Sequence, residues 1–222
     1  MPRELPILFC TEMIEAFLDG RKTQTRRIEG LKVLNTDPDR WNLWATHYNP
    51  LEWAFEDLKS HNDSQLKFIK PRYQVGDHLY AKETWAVTRL EGIIPGSLEY
   101  PNVLYRADSS TLLILDQPLV WKYCVPKEKM RWRSSRFMPK WAARIWRKVT
   151  DVRVERVQDI SIIDARAEGI AEYKDGDHEY ANRTSIENFA MLWDRLHKKP
   201  GERWADNPYV FAYVLKIQER PI

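Results

Sequence analysis

The chain contains little cysteine and no long apolar run, and these absences exclude several classes of protein. Only two of its 222 residues are cysteine, Cys10 and Cys124, and their spacing fits neither a metal site nor a disulfide framework. Such usage is typical of a reducing cytoplasm. No stretch approaches the roughly 20 apolar residues that a membrane-spanning helix needs. Residues 1–6 carry charges and two prolines, where a signal peptide would be apolar. We therefore expect a cytoplasmic protein with no membrane partner.

The sequence also lacks the motifs by which many enzymes hold a metal or a nucleotide. No glycine-rich phosphate loop is present, and the five histidines show no ligand spacing. The formal net charge of +3 is too mild for whole-protein charge to indicate a nucleic-acid partner. We predict no metal site and no cofactor, and the sequence leaves the oligomeric state open.

The composition that remains is that of a soluble globular protein, with 43% apolar and 30% charged residues. The length suffices for one substantial domain or for a small domain with large insertions. Ten tryptophans and ten tyrosines are many for such a chain. These residues are often half-buried, with one polar atom available to a ligand.

Three segments have clear secondary-structure patterns, and together with short strand-like runs they predict an α+β fold. A helix is expected over residues 11–19, with Gly20 in the left-handed conformation at its end. A capping box that begins at Thr184 predicts a helix over 185–197. The nearly continuous apolar run over 209–217 predicts a buried central strand.

Two less regular regions, at about 29–70 and 89–120, are interpreted as insertions into a single domain that spans residues 1–222. Within the first region, residues 51–58 have apolar side chains at helical spacing and predict a short helix. Three tryptophans are expected to pack this insertion on the main body: Trp41, Trp44 and Trp53.

The stretch from Gly20 to Arg27 is the strongest candidate for a functional site, because it presents four cations and two hydroxyls after the first predicted helix. One interpretation is structural: cations offset the partial negative charge at the helix end, and an edge strand follows. The other is a site for an anionic or strongly polar ligand. In that site Lys22 supplies a point charge, and the remaining polar residues contact the ligand: Arg21, Thr23, Thr25, Arg26 and Arg27.

Lys22 and Thr25 would lie on opposite faces of a regular strand, because side chains alternate. They share a site only if the chain turns or bulges between them. In a shared site, Lys22 could take the proton of the Thr25 hydroxyl, which is a weak nucleophile without a base. The lysine can serve as that base only if burial or neighbouring cations lower its pKa.

Two glutamates are further candidates. Glu83 shares one face of a predicted strand over 79–85 with apolar residues. It is either a pocket carboxylate beside the basic stretch or a sheet-edge glutamate paired with a lysine or arginine. Glu168 ends a short helix that Ser161 can cap, with Gly169 at its end. A carboxylate at a helix C-terminus is unfavourable by typically 0.3–1 kcal/mol, so Glu168 is either a functional residue or a solvated surface glutamate.

A second basic stretch, residues 121–148, contains ten lysines or arginines and only one acidic residue. Four tryptophans are interleaved with the cations. Basic side chains track phosphates and aromatic faces stack bases, which favours a nucleic-acid or nucleotide surface around Arg131, Trp132 and Arg133. Alternatively, the tryptophans fill the core and the cations are solvated. That alternative suits Trp141 and Trp146, which lead into an extended segment.

The order of these elements resembles the ASCH-domain family, whose own signature corresponds to the segment from Gly20 through Lys22 to Arg27. The resemblance spans most of the chain outside the two insertions. It implies a PUA-like mixed β-barrel with flanking helices. Three other segments match the family: 75–77 before a strand, 159–161 before the short helix, and 167–169 at the end of that helix. Two more, 137–142 and 207–210, are similar to the longer branch of the family, which is often encoded by bacteriophages and prophages.

One activity within that family is hydrolysis of the acyl amide on N4-acetylcytidine, by a threonine nucleophile, a lysine base and a glutamate proton shuttle. The resemblance therefore implies catalysis by Thr25, Lys22 and Glu168, with Arg26 and Glu83 positioning the ligand. This chain is longer than those small enzymes, so its insertions could cover or reshape the pocket.

Other family members bind or cleave RNA, so shared residues leave several functions open. The chain could be a binding module without catalysis, reading RNA or a modified base through residues 121–148. It could be a ribonuclease in which Lys22 and Arg27 stabilise a phosphorane-like charge, or a phage accessory domain without an active role. The expected partner is in most cases a nucleoside or RNA.

Overall fold

The computed structural model describes residues 2–49, 52–60, 66–90, 100–113, 129–170 and 184–220. It is a mixed α+β fold with about 28% helix and 38% strand. The helices are α1 (Thr11–Leu18), α2 (Lys32–Asn35), α3 (Ile162–Ala167) and α4 (Ser185–Leu196). The strands are β1 (Glu4–Leu8), β2 (Gln24–Arg27), β3 (Trp41–Asn49), β4 (Glu52–Asp57), β5 (Leu66–Ile69), β6 (His78–Lys82), β7 (Trp85–Leu90), β8 (Tyr100–Tyr105), β9 (Thr111–Leu113), β10 (Trp146–Arg156) and β11 (Tyr209–Gln218).

The chain divides into two compact units, each assembled from separate segments. Unit 1 consists of Met1–Asp19, His78–Arg147 and Ile217–Ile222. Unit 2 consists of Gly20–Asp77 and Lys148–Lys216. The single-domain organisation expected from the sequence stays a prediction.

In unit 1, β1 pairs in parallel with β6, and β7, β8 and β9 form an antiparallel sheet. The strand expected over 79–85 is divided, because two residues separate the end of β6 at Lys82 from the start of β7 at Trp85. Its alternation is as predicted, since Leu79, Ala81 and Glu83 are all buried. The core beneath the antiparallel sheet is mainly aromatic and aliphatic: Trp85, Val87, Val103, Tyr105, Met138, Ala142, Ala143 and Trp146.

In unit 2, β2 pairs antiparallel with β11, whose other neighbour is β10. A second antiparallel sheet has the order β3-β4-β5. Edge-to-face ring contacts join it to β11, with centroids 5.5 Å apart for Trp53 and Phe211 and 5.2 Å for Phe55 and Tyr209. A further core cluster lies around helices α3 and α4: Val157, Ile160, Ala165, Ile170, Phe189, Trp193 and Val210.

The prediction of a short helix over 51–58 is wrong, because residues 52–57 form the strand β4. This strand is central in its sheet and pairs with β3 on one side and β5 on the other. Pairing on both edges, together with burial of Trp53 and Phe55, outweighs the helical spacing of the apolar residues. The packing predicted for Trp44 is also wrong, since its side chain is 53% exposed.

The α+β class is confirmed, but the described residues form several sheets and no closed barrel. A barrel gives every strand two neighbours. Strand β2 instead pairs only with β11 among the strands that the structure describes. The basic stretch therefore does lead into an edge strand, as its structural interpretation predicts.

Candidate active site

Two of the three predicted catalytic residues meet in unit 2. Lys22 precedes β2 and forms an isolated antiparallel bridge with Glu168, 146 positions later in the chain. The Lys22 Nζ donates to Glu168 Oε2 at 2.7 Å and to the Glu168 carbonyl oxygen at 2.8 Å. Both side chains are buried, with Lys22 2% and Glu168 4% exposed. Glu168 is therefore not a solvated surface glutamate.

Local structure explains why Glu168 lies there. The Ser161 side chain accepts from Asp164 N and caps the start of α3, and Glu168 is the residue that caps its end. Gly169 then turns the chain at φ +91°. The Lys22 ammonium donates to the Glu168 backbone oxygen and so satisfies a carbonyl group at this helix end. A carboxylate that would be mildly unfavourable at this end is thereby offset by an adjacent cation.

Arg26 is the second cation on Glu168. Its Nη1 donates to Glu168 Oε1 at 3.0 Å, and its Nε donates to Glu155 Oε1 at 2.6 Å. Arg153 extends the network, because its Nε contacts Glu155 Oε2 and its Nη2 contacts Asp164 Oδ2, each at 3.0 Å. We call this group the Lys22–Glu168 cluster, and its members are Lys22, Gln24, Arg26, Arg153, Glu155, Asp164 and Glu168.

The charges of the cluster balance, with three cations and three carboxylates. The network favours the ionised form of Asp164. Burial acts to raise the pKa of Asp164, but a hydrogen bond from Gln24 and the charges of Arg153 and Arg26 together outweigh it and lower the pKa. A buried network of paired charges holds its side chains in one arrangement, which suits either catalysis or structural support.

Thr25, the predicted nucleophile, is buried in β2, where it lies opposite Tyr213 of β11. Its neighbours along the strand, Gln24 and Arg26, both belong to the cluster. Because side chains alternate along a strand, Thr25 points to the other face of β2, with Tyr213. The structure thus brings Lys22 and Glu168 together but directs the Thr25 hydroxyl away from the face that carries the cluster.

The other residues of the basic stretch differ in exposure. Thr23 is exposed, and its backbone N–H donates to Ala167 O at 2.8 Å. Arg21 is also exposed, and its Nη1 donates to Gly169 O at 2.6 Å. Arg27 is half-buried and follows Thr25 by two positions, so alternation places it on the Tyr213 face. Their predicted roles as ligand contacts stay predictions.

Glu83 belongs to unit 1 and is paired with an arginine, as the sheet-edge interpretation predicts. Arg144 makes a bidentate contact with the Glu83 carboxylate: its Nε donates to Oε1 at 2.9 Å and its Nη2 donates to Oε2 at 2.8 Å. Burial raises the pKa of Glu83 despite the opposing hydrogen bonds and charge of Arg144. Arg144 also contacts Asp108 at 2.8 Å and holds the pKa of that carboxyl at about 2. Glu83 therefore anchors a buried ion-pair network, and its role as a ligand contact stays a prediction.

Residues 129–147 of the second basic stretch lie in unit 1 and Lys148 lies in unit 2, whereas 121–128 fall outside the described residues. Trp146 is buried in the core and Trp141 packs against it, as the core interpretation predicts. Arg131 and Arg133 are exposed, and Trp132 is 39% exposed. Arg136 and Phe137, which were not predicted as ligand contacts, are also exposed beside them, with Phe137 at 73%. We call residues 131–137 the Arg131–Phe137 surface.

Within the described ranges, no group of three or more histidine, cysteine, aspartate or glutamate residues could hold a metal ion. The longest helix in this part of the chain, α4, has 12 residues, and none there is long and apolar enough to cross a membrane. No family model matches the chain, and neither a curated protein nor a solved structure is significantly similar to it. The resemblance to the ASCH-domain family therefore stays a prediction.

Proposed function

We propose that this chain is a nucleoside- or RNA-directed hydrolase of the ASCH class with a PUA-like fold, and that it cleaves an N4-acyl amide on cytidine. The Lys22–Glu168 pair carries this proposal. A lysine and a glutamate of the expected types, distant in sequence, meet at 2.7 Å inside unit 2. Buried ionisable pairs are frequent at catalytic sites, although structural ion pairs also occur.

The pair can exchange the proton that amide hydrolysis requires. Transfer of a proton from the Lys22 ammonium to Glu168 yields a neutral amine and a carboxylic acid. The amine then accepts a proton from the nucleophile's hydroxyl as its oxygen adds to the acyl carbon. Glu168 protonates the exocyclic nitrogen as the C–N bond breaks, which restores the ion pair. Arg26 holds the other carboxylate oxygen at 3.0 Å and so orients Glu168.

The nucleophile is either the Thr25 hydroxyl, which the resemblance implies, or a water molecule. With Thr25, an acyl-threonine ester forms and a water molecule hydrolyses it, while Glu168 takes the water proton and Lys22 returns a proton to the threonine oxygen. With water as the nucleophile, the amide is hydrolysed to acetate and cytidine without an acyl-enzyme intermediate. The alternation of β2 favours water, because Thr25 lies on the face opposite the cluster.

The test is deacetylation of N4-acetylcytidine, followed by chromatographic separation of cytidine. Lys22→Ala and Glu168→Gln are each expected to slow product formation by about 10²–10⁴-fold. Lys148→Ala is the matched control, because Lys148 is exposed and lies outside the cluster. Thr25→Ala distinguishes the nucleophiles, since activity survives if water attacks. Equal rates for the wild type and both cluster variants would refute the proposal.

A second candidate function, binding of single-stranded RNA, is favoured by the Arg131–Phe137 surface. Trp132 and Phe137 offer exposed rings to stack on bases, and Arg131, Arg133 and Arg136 offer charge to phosphates. Residues 129–140 contain no acid to oppose a polyanion.

This function predicts RNA binding that weakens with added salt and with replacement of Arg131 and Arg133 by glutamine. Fluorescence anisotropy with a labelled oligonucleotide measures it, and Lys148→Gln is again the control. Binding that is unchanged in the double arginine variant would exclude this surface. Thr25→Ala should leave RNA binding intact, which separates this function from an acyl-threonine mechanism.

A further inference from the structure

A cavity of about 350 Å³ lies in unit 2, away from the residues of the Lys22–Glu168 cluster. One wall is the segment that follows β2, and the other is the connection between α4 and β11. Its volume is at the low end of the range for small-molecule sites, about 300–1,000 Å³. The lining residues are Ile28, Glu29, Gly30, Lys32, Asn35, Thr36, Lys199, Pro200, Gly201 and Glu202.

The two walls are joined by buried hydrogen bonds and close packing. The Asn35 amide donates to Tyr209 O at 3.0 Å, and its oxygen accepts from Tyr209 N at 2.8 Å. Gly201 lies so close that a Cβ on it would be 2.3 Å from Asn35 O. Within the second wall, the Glu202 carbonyl oxygen accepts from Trp193 Nε1 of α4 at 2.8 Å. These contacts fix the cavity before any ligand enters, which lowers the cost of binding.

The charges that line the cavity leave two cations available. Lys32 comes from one wall and Lys199 from the other, and both are exposed. Neither forms an ion pair with any residue that the structure describes. Glu29 is already paired with Arg72 at 2.8 Å. Glu202 is half-buried and is therefore the carboxylate that can accept a hydrogen bond from a ligand.

We propose that this cavity binds a small phosphomonoester whose body carries hydroxyl groups, such as a sugar phosphate or a nucleotide. A phosphate monoester carries about −1.5 to −2 charge at neutral pH, which matches two lysines. Glu202 accepts from a hydroxyl of the body, and Ile28 and Pro200 supply apolar surface. This site is independent of the deacetylation proposed above.

Calorimetric titration of the full chain tests the proposal with four probes: ribose 5-phosphate, cytidine 5′-monophosphate, cytidine and inorganic phosphate. The two phosphomonoesters should bind, and tighter binding of the nucleotide would show that the base is included. Cytidine and inorganic phosphate should each bind at least about tenfold more weakly than the phosphomonoesters, because each lacks one half of the ligand. Equal affinity for inorganic phosphate, or no binding of either phosphomonoester at millimolar concentration, would overturn the proposal.

Variants locate the site. Lys32→Gln and Lys199→Gln should each weaken ribose 5-phosphate binding by about tenfold, and Glu202→Gln should weaken it by a smaller factor. Lys148→Gln, which removes an exposed lysine outside the cavity, should leave the affinity unchanged. Wild-type affinity in both cavity lysine variants would refute the assignment. Deacetylation should be unaffected in Lys32→Gln, so failure of one proposal is distinguishable from failure of the other.

Discussion

The two partners of the Lys22–Glu168 pair should contribute unequally to stability. Glu168 is held by two cations, with Lys22 Nζ at 2.7 Å and Arg26 Nη1 at 3.0 Å. If the Lys22 ammonium is removed, Glu168 keeps the charge-assisted contact with Arg26. If the Glu168 carboxylate is removed, Lys22 and Arg26 both lose a buried counter-charge, although Arg26 keeps its contact with Glu155. Replacement of Glu168 should therefore cost more than replacement of Lys22.

The magnitudes follow from the burial of these groups. Removal of one partner of a buried ion pair costs about 3–5 kcal/mol, because the other charge stays buried without compensation. We expect Glu168→Gln to lower the free energy of unfolding by that amount. Lys22→Met keeps the buried chain volume and forfeits the hydrogen bond to the Glu168 carboxylate; one hydrogen bond to a charged group is worth about 1.5–3 kcal/mol. The expected difference between the two variants is thus about 2 kcal/mol.

Equilibrium unfolding in guanidinium chloride at neutral pH, followed by tryptophan fluorescence, measures this difference. Lys148→Met is the control, since an exposed substitution should change the free energy of unfolding by no more than about 0.5 kcal/mol. If Lys22→Met destabilises the protein as much as Glu168→Gln or more, Arg26 does not sustain the Glu168 charge and the reasoning is refuted.

Two further substitutions test other features. Arg144→Met should lower the free energy of unfolding by about 3–5 kcal/mol at neutral pH, because it leaves Glu83 buried without its cation. Burial raises the pKa of Glu83, so the folded variant binds a proton at this residue more readily than the unfolded chain does. Guanidinium unfolding should therefore show a smaller loss in the free energy of unfolding near pH 5 than at neutral pH. An equal loss at both pH values would contradict this. Gly201→Ala should lower the melting temperature more than Gly20→Ala. The two residues have similar φ, +79° and +77°, but only at Gly201 would a Cβ lie 2.3 Å from Asn35 O. Equal shifts in thermal unfolding would indicate that only backbone conformation matters.

Features that depend on a few neighbouring residues were predictable from the sequence. The Thr184 hydroxyl accepts from Glu187 N, and the Glu187 carboxylate accepts from Thr184 N, so the predicted capping box does start α4. Gly20 adopts φ +77° after α1, as predicted for a helix end. These signals are reliable because the donors and acceptors at a helix end are satisfied within a few residues. The helix predicted from the spacing of apolar residues over 51–58 was wrong, because pairing with strands outside the segment determines its conformation.

The ionic partners could be only partly anticipated. The sequence indicated that Glu83, among apolar neighbours, would need a lysine or arginine, but ten cations in residues 121–148 were candidates. The structure selects Arg144, 61 positions away, and leaves Arg131 and Arg133 exposed. Likewise, Glu155 and Arg153 gave no sign in the sequence that they would join Arg26. Their period-2 spacing on β10 could only have suggested a shared face.

By itself, the sequence determined the helix ends, the apolar strand β11 and the alternation of β2, because these depend on local hydrogen bonds and on the geometry of the backbone. Only the tertiary structure decided that Glu168 and Lys22 meet, that Arg26 joins them and that Thr25 lies on the other face of the same strand. Contacts across such sequence separations arise from how strands and helices pack, and no short segment encodes that packing.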